Sequence, residues 1–517
     1  MITAVLKQTI DDEVLTCVES FSLESQPTPG LQELRHIAEI RQFELWLLIL
    51  YENDSCVALF PGFIEQRQIY GIKHKVISCL GYTLFDYNRF YCKADYLEEL
   101  IQQLKIFSKK DAIDAVLFDN IPYFSQSDKI SSSHIETSEV LIFDACLSDN
   151  GFDYILKKKK LRKHYERIVR RYEYDCVTKI GDLSEVQLDE LADFHKERWA
   201  FDHVQSAFYD PLRIQEYVAY PANKVVTRIT INGELLAIHY GMVYGNTVLF
   251  HTPIINIKYL DDSPLQILLY EMAKMCNEKG FTTLDFGLGD ESYKDRYCNS
   301  QRVLFHLHIP LSLKAKFAKC CLKTFSINKP KLHNLIGDLK VIKHRLRSIF
   351  TTIHYFEHKG EAQDITNDGL IFQIFTDYRD FVDGARKVGF EIIKVHYERF
   401  RAGDNFYLLS SGDNVLCSGW GSKNAAFYAS EIDKCISNDN KIMLYDFVTP
   451  ETERRKGYYV KLLGNIVISH KHENLAIFTE KNNQASSSAI LKAGFTPSTP
   501  LFLHKKNESL NYQKSES

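Results

Sequence analysis

Residues 441–470, KIMLYDFVTPETERRKGYYVKLLGNIVISH, read as a strand that stops at Pro450, a charged turn, a glycine and a helix. This arrangement aims successive backbone N–H groups and the positive end of a helix at one point, which makes an anion site. Arg454, Arg455 and Lys456 add charge, and Gly457 allows close approach of a ligand or a positive φ. A diphosphate suits such a site. Taken alone, the same residues also read as a solvated charged turn ahead of an amphipathic helix.

The stretch that follows, ENLAIFTEKNNQASSSAILKAGF at 473–495, gives a strand, Asn483, Ser486 three residues on, and Gly494-Phe495 after one helix. Together the two stretches resemble the cofactor motifs of the GNAT acyltransferase superfamily. The first is V-x-P…R-x-x-G (Val448, Pro450, Arg454, Gly457), and the second is N-x-x-S…K-x-G-F (Asn483, Ser486, Lys492, Gly494, Phe495). The resemblance covers roughly the last third of the chain and implies acetyl-CoA as acyl donor. It places the pyrophosphate on the N–H groups of Arg455, Lys456, Gly457, Tyr458, Tyr459 and Val460, and the pantetheine arm along Asp446–Val448 with Asn483 and Ser486 beside it. Two positions depart from the pattern: Tyr459 stands where the loop usually ends in a small residue, and Ile490 stands where a tyrosine often protonates the leaving thiolate. Tyr458 or Tyr459 is then the candidate acid. By strand alternation Asp446 faces the same side as Leu444 and Val448, where it could take a proton from an incoming ammonium. A solvent-facing or strand-capping aspartate is the alternative.

Upstream, the basic-loop motif is missing. NIKYLDDSPLQILLYEMAKMCNEKG (256–280) offers Ser263 as an N-cap and Pro264 as the first helical residue, and FTTLDFGLGDESYKDRY (281–297) delivers Asp290, Glu291, Tyr293 and Lys294 into a turn. The succession of basic helix Leu161–Arg171, Arg198-Trp199, the hairpin at Glu234–Ala237, Ser263-Pro264 and Asp285–Lys294 resembles the CelD-like acetyltransferases of bacterial polysaccharide biosynthesis, a Fem-like variant of the GNAT fold. LGYTLFDYNRF (80–90) fits that family's first lobe, and Ser292 replaces its usual proline. Under this resemblance Asp290 and Lys294 are candidate acid and base, and Glu291, Tyr293 and His251 candidate substrate ligands. A salt-bridged turn and a structural histidine are the plainer readings.

At 517 residues the chain exceeds one core. The expected fold class is α/β (α+β), with tandem GNAT-type folds. The expected order is a degenerate first lobe at 1–145, a CelD-like lobe at 146–310, a basic helical linker at 311–350, a C-terminal GNAT domain at 351–506 and a disordered tail at 507–517. No run reaches bilayer length; the most apolar, FELWLLILY at 43–51, contains Glu44 and reads as a buried strand. The start of the chain lacks the pattern of a signal peptide, and the 12 cysteines show no CxxC pair, so neither a disulfide framework nor a metal site is expected. The expected location is the cytoplasm, with a peripheral position at the inner membrane as the alternative.

The net charge of −4 exerts no global pull on nucleic acid, but two stretches are strongly cationic. Lys157–Arg171 carries nine Lys or Arg, and 311–350 carries ten against one Asp. Solvated helix faces are the default reading; tRNA, a membrane surface or an anionic substrate are the alternatives. Three functions remain open. One is N-acylation of a small amine or nucleotide-linked amino-sugar for surface polysaccharide; a second is Fem-like transfer from aminoacyl-tRNA. In the third, the N-terminal part only binds substrate for the C-terminal enzyme.

Overall fold

The computed structural model describes residues 2–19, 21, 28, 30–69, 72–81, 86–89, 91–122, 135–181, 185–219, 224–289, 291–317, 348, 351–358 and 369–503. Asp290, most of the basic segment 311–350, the tail 507–517 and part of 80–90 lie outside the described residues. The chain divides into two compact units, Met1–Trp199 with Gln205–Ile327, and Asn328–Ser517 with Ala200–Val204. Both are mixed α/β, sheets flanked by helices, the class read from the sequence.

The first unit is built on one 13-stranded sheet. Its strands are β1 (Ile2–Lys7), β2 (Glu44–Glu52), β3 (Ser55–Ile69), β4 (Ile72–Cys79), β5 (Tyr91–Cys92), β6 (Ala115–Ile121), β7 (Ile135–Asp144), β8 (Tyr174–Gly181), β9 (Lys224–Ile231), β10 (Glu234–Tyr244), β11 (Thr247–Ile255), β12 (Thr283–Asp285) and β13 (Ser300–Pro310). Their order is β1-β2-β3-β4-β6-β13-β7-β12-β11-β10-β9-β8, with β5 beside β3. β13, last in sequence, lies in the middle between β6 and β7. The expected lobes 1–145 and 146–310 therefore contribute to a single continuous sheet. The apolar run at 43–51 is β2, buried from Trp46 through Leu50. Asn232 and Gly233 both take positive φ, 50° and 80°, as a tight hairpin between β9 and β10 demands.

The second unit has a seven-stranded sheet of β14 (Ile353–His358), β15 (Ile371–Phe375), β16 (Asn405–Ser411), β17 (Asn414–Ser422), β20 (Lys441–Val448), β21 (Asn474–Glu480) and β22 (Thr496–Ser498), in the order β15-β16-β17-β20-β21-β14-β22. β18 (Ala426–Ala429) and β19 (Lys434–Ser437) form a separate hairpin. One sheet face packs on helices Tyr458–Ser469 and Gln484–Lys492 through Leu462, Leu463, Ile466 and Ile490. Aromatic rings fill the space against helices Tyr378–Lys387 and Lys394–Arg401, where Phe381, Phe400 and Phe406 surround Trp420.

Candidate functional site

β20 ends at Val448, and after Pro450 a short turn leads to Arg455 with φ 66° and Gly457 with φ 84°, from which helix Tyr458–Ser469 starts. Two left-handed residues, separated by Lys456, give the kind of curled backbone that turns successive N–H groups toward one point. Among the described residues, the N–H groups of Arg455 through Val460 donate to no backbone carbonyl. The space where a Cβ of residue 457 would project is open. The cations are used unequally. Arg454 donates to the Thr449 carbonyl (3.2 Å) and pairs with Glu451, while Lys456 pairs with Glu453 at 3.0 Å. Arg454 thus closes the base of the loop.

Beside this loop the sheet opens. The parallel ladder between β20 and β21 runs from Lys441↔Asn474 to Leu444↔Ile477 and stops, although both strands continue. The β20 edge from Tyr445 to Val448 therefore lacks a β21 partner up to the point where the loop begins, and Val448 is exposed there.

At this point the alternation expected for Asp446 fails. Asp446 takes φ 52°, and the pairing of β20 with β17 shifts between Trp420↔Tyr445 and Ser418↔Val448. This bulge inverts the side-chain sequence downstream. Leu444 packs in the core under helix Tyr458–Ser469, as does Phe447 beyond the bulge, so Asp446 lies on the opposite face from Leu444. Its half-exposed carboxylate pairs with Arg399 at 2.7 Å. Arg399 also lies over the rings of Trp420 and Tyr445, 5.0 Å from each centroid.

Three residues that the sequence did not single out complete this face. The Tyr445 hydroxyl donates to Asp404 Oδ2 at 2.6 Å. Burial raises the Asp404 carboxyl above its usual range despite that bond, and raises the Tyr445 phenol, with the Asp404 charge adding to the effect. His396, stacked on Trp420, is pushed down to about 4 by burial and then by the Arg399 charge.

Two residues of the second motif mark the ends of a helix. Asn483 is the N-cap of helix Gln484–Lys492, its side chain accepting from the Ser486 N–H at 3.1 Å. Gly494, φ 88°, ends that helix after Lys492, and Phe495 turns into the core. Ile490 is fully buried. Tyr459 packs on Phe447, with centroids 5.2 Å apart and its phenol pushed up by burial, whereas Tyr458 begins the helix half-buried.

The first unit repeats part of this geometry. The parallel ladder of β11 and β12 ends at Leu249↔Asp285 while β11 runs on. His251 lies two residues past that end, the offset at which Asp446 lies past Leu444. His251 Nδ1 is 2.7 Å from Thr252 Oγ1 and 3.5 Å from the Tyr217 hydroxyl, and Nε2 is 3.8 Å from Asp86. Next to it, fully buried Asp285 accepts from Tyr87 (2.6 Å) and the Gly287 N–H (2.9 Å) and pairs with Arg302. Burial nevertheless leaves its carboxyl raised.

Other upstream expectations change on inspection. Ser263 enters helix Pro264–Lys279 in the left-handed region, φ 55°, and its side chain makes no capping bond, so it is not the N-cap expected. The N–H groups of Gln266 and Ile267 fold back onto the Ser263 carbonyl, Pro264 has none, and Asp261 and Asp262 precede it. Asp262 is buried and pairs with Arg171 at 3.6 Å, and Arg167 donates to the Asp261 carbonyl at 3.2 Å. Lys294 is buried and donates to the carbonyls of Leu288 (2.5 Å) and Gly289 (3.3 Å) while pairing with Glu291 at 2.8 Å. That ammonium is spent on holding the turn. Tyr293 rests edge-on against Phe286, its phenol raised by burial.

Among the described residues no helix is long and apolar enough to cross a membrane, and no group of three His, Cys, Asp or Glu is placed to hold a metal. Residues 157–295 match the family model described as an acetyltransferase (GNAT) domain. No curated protein matches the chain. Similar solved structures include FemX, 11% identical, covering 58% of this chain and 96% of its own, with TM-score 0.41. L-PGS from Bacillus licheniformis is 14% identical, with coverages of 62% and 98% and TM-score 0.40. A tandem GNAT protein from the clavulanic acid biosynthesis pathway is 8% identical, with coverages of 60% and 99% and TM-score 0.39.

Proposed function

We propose that this chain, whose residues 157–295 match a GNAT acetyltransferase model, is an acyl-CoA-dependent N-acyltransferase whose donor site lies in the second unit. One observation carries the reading: the open N–H groups of Arg455–Val460 adjoin the unpaired β20 edge at 445–448. The first fits a diphosphate, and the second offers main-chain partners to an amide-bearing arm. Acetyl-CoA would supply an activated thioester there. Asp446, paired with Arg399, would accept a proton from the incoming ammonium. Asp404 and Tyr445 close the same face with hydrogen-bonding groups suited to a hydroxylated amine. Tyr458, at the helix start, is the remaining candidate for returning a proton to the thiolate.

The acceptor assigned is an amino-sugar, free or nucleotide-linked, used in surface polysaccharide and acylated in the cytoplasm. The resemblance of the first unit to the CelD-like acetyltransferases supports that choice. The full-length chain should bind acetyl-CoA in calorimetry and release CoA thiol on addition of such an amino-sugar. Absence of acetyl-CoA binding at millimolar concentration would sink the reading.

A second reading, transfer from aminoacyl-tRNA, draws on helix Lys159–Arg171. It buries only Leu161 and Ile168, and its Lys and Arg residues are exposed. It requires tRNA binding that weakens steeply with salt; the same helix against anionic lipid would instead give vesicle binding.

A further inference from the structure

The central strands of the first unit hold a polar chain that the acyl-CoA reading does not use. β6 carries one extra residue against β13, since Phe305 faces Ile121 while Leu307 faces Phe118. Asn120 absorbs it with φ 59°, a conformation asparagine tolerates better than most residues. Asn88 clamps the irregular backbone, its side chain donating to the Asp119 carbonyl at 3.0 Å and its N–H to the Asn120 carbonyl at 2.9 Å. The bulge sets Asp119 Oδ1 between two imidazoles, 3.2 Å from His306 Nδ1 and 2.5 Å from His308 Nε2. On the far side of the His306 ring, Nε2 lies 2.8 Å from Oγ of Ser138 on β7.

Carboxylate, imidazole and hydroxyl thus run in line across three adjacent strands, each nitrogen of His306 having its own partner. The Asn120 N–H is also 3.4 Å from His306 Nδ1, but the closer carboxylate favours the proton on Nδ1. Nε2 is then free to accept from Ser138. Burial opposes the Asp119 charge, yet its bonds to His306 and His308 hold the carboxyl well below the usual range. Ser138 itself is exposed.

We propose that Ser138 is an activated nucleophile toward carboxylic esters or thioesters, with His306 as its base and Asp119 as the residue that positions His306. Ser138 Oγ would bond to the acyl carbon as its proton passes to His306 Nε2. The C–O or C–S bond then breaks, and the departing alcohol or thiol takes that proton. Water releases the acid by the reverse sequence and regenerates the hydroxyl.

The test uses the full-length chain and a fluorophosphonate probe, with which Oγ–P forms, P–F breaks, fluoride leaves and the proton goes to His306. Peptide mapping should place the adduct on Ser138. His306→Ala should slow labelling on the order of a hundredfold, with partial recovery in added imidazole, and Asp119→Glu should retain more labelling than Asp119→Ala. Ser138→Ala should abolish the adduct and leave acetyl-CoA binding unchanged, which separates this inference from the donor site. No adduct, an adduct on another residue, or equal labelling of urea-unfolded protein overturns the proposal. Mapping of the unmutated protein decides the question even if a variant fails to fold.

Discussion

Replacing Gly457 separates two properties of the loop, its backbone conformation and its affinity for an anion. At φ 84° any side chain incurs left-handed strain, roughly 1–2 kcal/mol. The open space above the position means that a Cβ itself meets nothing. Gly457→Ala should therefore lower the melting temperature of the second unit by roughly 2–4 °C per kcal/mol and weaken acetyl-CoA binding only mildly. Gly457→Glu adds a carboxylate beside the open N–H groups. At ~5 Å from a phosphate charge and an effective dielectric constant near 20, the repulsion is roughly 3 kcal/mol. Binding should then fall about a hundredfold beyond the alanine variant. Calorimetry of both proteins at equal ionic strength, with melting curves alongside, gives the comparison. Equal losses in the two variants would mean that strain alone matters, and undiminished binding by Gly457→Glu would show that the diphosphate sits elsewhere.

Asn483→Ala removes the cap of helix Gln484–Lys492 and should cost about 1 kcal/mol of stability, read as an earlier denaturant midpoint for the second unit. Arg399→Ala frees the Asp446 carboxylate and should lower kcat at least tenfold, with the KM for acetyl-CoA unchanged; a rise in that KM alone would place Arg399 in donor binding. His396 is held near 4 in the folded unit against an ordinary value near 6.5, so the unfolded chain binds the extra proton between those values. Stability should fall as pH drops from about 6.5 towards 4, by up to about 3 kcal/mol. His396→Gln should flatten that dependence, followed by Trp420 fluorescence against the unsubstituted chain.

What could be read in advance depended on whether a site is contiguous. The loop at 454–457 was legible because its cations, glycine and helix start are neighbours in sequence, and each has a local physical meaning. Asp446 was picked out but assigned to the wrong face with respect to Leu444, because a bulge is set by pairing with β17 and leaves no mark in a period of two. Ser263 misled for a related reason. Serine favours N-caps, but the chain arriving from 257–262 imposes a left-handed turn there. Arg399, Asp404 and Tyr445 come from a helix, a loop and a strand, and only the fold brings them together. Asn483 and Gly494 were found as a cofactor motif, and the structure gives both a helix-ending duty that the spacing already contained. The Asp119–His306–Ser138 line, with nearly two hundred residues between its first two members, lay beyond any spacing argument.

The place of β13 governs how the first unit is made. β6 and β7 are complete by residue 144, yet the strand between them ends only at residue 310. At about 5–20 residues per second of synthesis, that leaves roughly 8–33 s in which two inner strands have unpaired edges. A chain cut near residue 145 would keep those edges for good. The first lobe is thus a poor candidate for separate expression, and the nascent chain has a defined interval in which chaperones matter most.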